Sequence, residues 1–316
     1  MVNLRAMIAL GIALFLGGCG GLSGIQDSAA KFGEAAHGAA SAEMGYLRAV
    51  QVADCVNQFH TKAFDFAQGN GLLPRLAGPC TPTILDDASL AQRARLMDAI
   101  TLYADKIAAL ATDDDDKALD ASAQGLAGKL NEVGRKFGLS DPVVETDVEA
   151  AVAAIARMAL DQRRFKDARE AAATMDQPLL IVVAALKAEN LLYAQAIGSK
   201  IDALEVQLVT LLNQEAEQRG RTRGRSADPM KYFDALQARS ILQSANPMGP
   251  LPFATAEAAR AADPENRAVQ LNAALDGIVA TNHAIATAGT GGVVASVNDL
   301  LARARAAQAM QSALGK

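Results

Sequence analysis

The residues with the chemistry to do something are few. Three cysteines (Cys19, Cys55, Cys80), three histidines (His37, His60, His283), a run of four aspartates (Asp113 to Asp116) and an arginine run (Arg219, Arg221, Arg223, Arg225) stand out from an Ala-rich background. The histidines are far apart in sequence and read as lacking any partner at metal-ligand spacing, and no HExxH is present, so no metal centre and no cofactor is expected. No G-x-S-x-G elbow supports a nucleophilic serine, and no catalytic residue is assigned. The aspartate run has neither the alternation nor the central glycine of an EF-hand loop. It reads as a solvated turn whose last carboxylate caps the following helix. The arginines, interleaved with Gly220 and Gly224, are the one concentrated basic segment and a candidate contact for an anionic surface. Their other reading is a soluble linker whose charges balance a helix C-terminus.

Cys19 acquires its meaning from what precedes it. Arg5 is the only charge before an apolar run from Ala6 to Leu16, which is the layout of a secretory signal peptide and too short for a transmembrane helix of about 20 residues. Leu16-Gly17-Gly18-Cys19 then resembles the lipobox of bacterial lipoproteins. The resemblance covers the first 19 residues only and implies removal of residues 1–18, acylation of Cys19 and anchoring to a membrane. Gly20 in place of Asp implies the periplasmic face of the outer membrane if the source is Gram-negative. With Cys19 taken by lipid in an oxidising compartment, Cys55 and Cys80 remain as a pair and are expected to form a disulfide.

Composition narrows the partners. A net charge of −5, no Trp and 4% aromatic residues argue against nucleic acid, whose phosphates call for a basic surface and whose bases call for stacking rings. The expected partners are the membrane, through the acyl chains, and an envelope protein.

The elements that must position these residues are helices. Residues 19–30, rich in Gly and Ser, read as a flexible tether, and 31–316 as the helical body with a possible boundary at 244–252. Ala36, Ala39, Glu43, Tyr46, Val50, Ala53, Val56 and Phe59 recur at three and four, predicting a helix to about Ala67 whose small residues permit close packing. Leu90 to Leu110 predicts a second helix. Leu119, Ala123, Leu126, Leu130, Val133 and Phe137 trace an a/d seam and predict a third. Asp141-Pro142, Asp228-Pro229 and Asp263-Pro264 each predict a helix start, with Asp as N-cap and Pro at the first helical position.

A long helix is expected from Pro178 to about Gln218, with Pro178 restarting or kinking it, and its Leu179 to Leu186 run is expected in a buried core. Two last helices should flank a turn at Gly289-Thr290-Gly291-Gly292. The fold expected is all-α: an elongated bundle of about eight helices with long coiled-coil-like hairpins. Its expected role is a lipid-anchored, non-catalytic scaffold or partner-binding protein. A helical ligand carrier or enzyme with a pocket drawn from separated residues, and a membrane-active protein using the arginine run, are the alternatives.

Overall fold

A computed structural model describes residues 4–67, 80–112, 150–151, 154, 168–221, 263–287 and 289–312. The elements among them are all helices: α1 (Leu4–Ala67), α2 (Asp87–Thr112), α3 (Ala168–Arg221), α4 (Pro264–Thr287) and α5 (Thr290–Ser312). The fold is all-α. The helices expected over 119–137, from 142 and from 229, the aspartate run and the 244–252 boundary lie outside the described residues.

The apolar spacing translates directly into burial. Along α1, Ala36, Ala39, Glu43, Tyr46, Val50 and Ala53 are buried, as are Met97, Ile100, Ala104 and Ile107 of α2. Leu271, Leu275 and Ile278 of α4 and Val293, Val297, Leu300 and Ala304 of α5 do the same. Each set repeats at three and four residues, the separation at which side chains share one helix face.

The expected Asp-Pro start is present at α4. Asp263 lies just outside α4, its Oδ1 accepts the Glu265 N–H at 2.9 Å, and its carbonyl accepts the Arg267 N–H at 3.1 Å. Pro264 fills the first helical position, where a missing N–H costs nothing. Asp86 caps α2 similarly, with Oδ1 accepting the Ser89 N–H at 2.6 Å.

Two expectations require correction. α3 continues through Pro178 rather than ending or restarting there, so it spans 54 residues. The proline's penalty of about 3 kcal/mol is offset by packing on both sides of it, where Ala171, Ala172, Met175, Leu179 and Val182 are all buried. α5 begins within the glycine run expected to form a turn. Of the four residues expected in it only Gly289 lies before α5, its carbonyl accepting the Gly292 and Val293 N–H groups at 3.0 and 3.3 Å, and residues 290–292 form the first helical turn.

α1 is helical through residues 19–30, and Ser28 and Ala29 within it are buried. Gly20, Gly21 and Gly24 each weaken a helix by about 1 kcal/mol relative to Ala, so a helix beginning at Cys19 would hold poorly ahead of Asp27.

The chain divides into two compact units. The first comprises Met1–Met44, Ala91–Lys187 and Leu271–Ala309. Its helices approach closely where α1 and α4 carry glycine: a Cβ at Gly38 would lie 3.3 Å from that of Ala304, and one at Gly277 would lie 2.9 Å from Leu300 Cδ1 and 3.3 Å from Leu300 Cα. Because the backbone of α5 is part of that contact, Gly277→Val forces the two helices apart. We expect a loss of about 2 kcal/mol by thermal or denaturant unfolding, and a stability equal to wild type would refute the close packing.

The second unit comprises Gly45–Leu90, Ala188–Gln270 and Met310–Lys316. Its interior mixes apolar side chains such as Leu47, Val50, Leu85 and Ile197 with buried polar ones, among them Asp54, Asn57, His60, Asn190 and Arg267. Burial pulls the Arg267 guanidinium down to about 10, with Tyr46 and Asp263 acting in the opposite direction, so it remains charged at neutral pH.

Candidate functional sites

In the second unit one face of α1 is devoted to holding the segment that leads into α2. Gln51, Asp54, Cys55 and Gln58 occur at the spacing that aligns side chains on one side of a helix, and every one of them grips residues 80–87. Cys55 is bonded to Cys80, with S–S 1.95 Å and Cα–Cα 5.8 Å, as the cysteine pairing predicts. Gln51 Nε2 donates to the Leu85 carbonyl at 3.0 Å and to Asp87 Oδ1 at 3.1 Å. Gln58 Nε2 donates to the Thr81 carbonyl at 3.1 Å.

Asp54 is the centre of this face. Its side chain has no solvent exposure, and it accepts from the Thr83 N–H at 2.5 Å, the Ile84 N–H at 3.1 Å, the Thr83 hydroxyl at 3.1 Å, Gln58 Nε2 at 3.2 Å and Lys200 Nζ at 2.5 Å. Burial by itself raises the carboxyl pKa. The hydrogen bonds from Lys200, Thr83 and Ile84, together with the Lys200 charge, outweigh it and hold Asp54 below the ordinary carboxylate value.

Lys200 Nζ also lies 3.3 Å from Thr83 Oγ1, a hydroxyl–amine pairing of the type that can serve nucleophilic catalysis. The chemistry runs against it here. The Lys200 amine is occupied by the Asp54 carboxylate, and a carboxylate already accepting several donors and held low is a poor base. The cluster is a clamp. Sequence reasoning found Cys55 and Cys80 but missed Gln51, Asp54, Gln58, Thr83 and Lys200; polar residues in register with a cysteine along an otherwise apolar helix were the available signal.

His60 lies further along α1 than Asp54, buried, with its ring 5.5 Å from that of Phe59 in an edge arrangement. Desolvation lowers its pKa below the usual histidine value. The unfolded chain therefore binds the proton first as pH falls, so stability from this group is fully present above about 6.5 and is lost below it. Asp54 contributes in the same direction at lower pH, its share being present above the ordinary carboxylate value and lost as pH falls through its depressed one. Unfolding free energies measured from pH 7.5 down to 5 should decline, and His60→Gln should flatten that decline. An unchanged slope in the variant would remove His60 from the account.

In the first unit a polar chain runs through the packed helices. The hydroxyl of Tyr103 on α2 donates to Asn282 Oδ1 on α4. Asn282 Nδ2 donates to the Ala172 carbonyl at 3.0 Å and to Asp176 Oδ1 at 3.2 Å, both on α3. Asp176 Oδ2 lies 2.7 Å from Nδ1 of the exposed His283. Burial, with the Asp176 charge adding to it, pushes the Tyr103 hydroxyl well above its ordinary pKa and keeps it a neutral donor. Tyr103 also meets Phe32 edge-on at 6.5 Å. Every connection fixes the register of one helix against another, which is what a satisfied buried polar network does in a bundle.

Glu34-Ala35-Ala36-His37 has the Glu-x-x-His spacing of bundle metal sites, which corrects the reading of the histidines as lacking any partner at metal-ligand spacing. Its side chains diverge to other partners. His37 Nε2 meets the Asp105 carboxylate at 2.9 and 3.1 Å, whereas Glu34 lies 3.6 Å from Arg305. Among the described residues no group of three His, Cys, Asp or Glu side chains is placed to hold a metal ion.

Cys19 falls in the helical backbone of α1, and Arg219 and Arg221 fall in the last turns of α3. Arg223 and Arg225 lie outside the described residues. The Leu179 to Leu186 run, apolar all round and expected in a buried core, turns most of its residues inward. Leu179, Val182, Val183 and Leu186 face the interior while Leu180 is 49% exposed, and Leu191 and Leu192 continue the exposed apolar residues along the helix. By length and composition alone, Ala168–Ala203 is apolar enough to cross a membrane. Its half-buried pattern is also that of a core helix. Comparison with protein-family models, with curated proteins and with solved structures finds no match for this chain.

Proposed function

We propose that this chain is an exported lipoprotein, cut before Cys19, acylated there and held at the periplasmic face of the outer membrane if its source is Gram-negative, where its helical body serves as a non-catalytic scaffold for an envelope protein. The run Leu16-Gly17-Gly18-Cys19 behind an apolar segment carries the reading. The Cys55–Cys80 pair supports it, because such bonds persist in oxidising compartments. Stable attachment follows from two or more acyl chains, each buried CH₂ contributing about 0.8 kcal/mol. The body in this reading has about eight helices with coiled-coil-like hairpins in an elongated bundle, supported beyond the five described by the seam from Leu119 to Phe137 and by Asp228-Pro229.

The test expresses wild type and Cys19→Ala with a clickable palmitate analogue in a Gram-negative host. Wild type should incorporate label, lose the mass of residues 1–18 and sediment with membranes, and the variant should remain unlabelled. Label retained by Cys19→Ala, or full-length wild type, overturns the assignment. Crosslinking and affinity capture of the anchored protein then tests the scaffold role, which a specific envelope partner would support.

A second reading rests on Arg219, Arg221, Arg223 and Arg225 as a contact for lipid phosphates. It requires salt-sensitive binding of the unacylated protein to anionic vesicles, abolished when the four arginines are replaced by Gln.

A further inference from the structure

We draw no further inference here: the strongest candidate, the exposed apolar face of α3 bearing Leu180, Leu191 and Leu192, carries nothing because nothing in the structure shows what covers it.

Discussion

Replacing Asp54 with Ala should destabilise the second unit by about 3 kcal/mol, towards the lower end of the range for removing one partner of a buried ion pair. The carboxylate is fully buried, and its loss strands the Thr83 and Ile84 N–H groups and the Lys200 ammonium at once. The estimate stays low because the Lys200 side chain is 37% exposed and can turn partly towards water. Lys200→Met should cost less than Asp54→Ala, since the remaining donors from Thr83, Ile84 and Gln58 still satisfy the carboxylate. Denaturant unfolding, combined with hydrogen exchange of the α1 amides around residues 51–58, reads the effect locally. A change below about 0.5 kcal/mol, the size of an ordinary surface substitution, would mean that Asp54 does not clamp the segment before α2.

Removing the disulfide should have an effect of similar size. The bond links residues separated by 25 in sequence, and closing a loop of that length restricts the unfolded chain by about 3.5 kcal/mol on the chain-entropy estimate. The paired variant Cys55→Ser/Cys80→Ser isolates this term without leaving a lone thiol. The disulfide and the Asp54 clamp fasten the same short stretch to the same helix face, so their losses should not add. A cycle combining them should show a coupling within the 0.5 to 3 kcal/mol range of contacting sites. Simple additivity would show that Cys80 and the segment at Thr83 and Ile84 are held independently.

The two expectations also bear on where the protein is made. With the bond reduced, Asp54 and Gln51 would still attach residues 83–87 to α1, but by hydrogen bonds whose net worth is about 1 kcal/mol each, or somewhat more when charged. A chain produced under reducing conditions should therefore fold with a weaker second unit, measurable as faster hydrogen exchange over residues 45–67 than over the first unit's portion of α1.

Much of the architecture was determined by sequence because helices are written in local terms. A period of three and four sets a buried face, an Asp-Pro pair sets a start, and glycine sets a close approach. Hence α2 and α4 occupy their expected places, α1 ends at Ala67 as its pattern predicts, and Asp263 caps the helix it precedes. The pairing of Cys55 with Cys80 was legible for a different reason: once Cys19 is set aside only two cysteines remain. What tertiary structure alone decided is which side of each helix meets which neighbour. That choice carries α3 through Pro178, because packing on both flanks exceeds a local penalty, and it leaves Leu180 exposed in a run that periodicity treats as uniformly apolar. It also brings Asp54 to Thr83 and Lys200, and Tyr103 to Asn282 and Asp176, across sequence separations of 29 to 179 residues. No spacing rule reaches that far, since a polar side chain on a helix has the same local signature whether water or a buried partner receives its hydrogen bond.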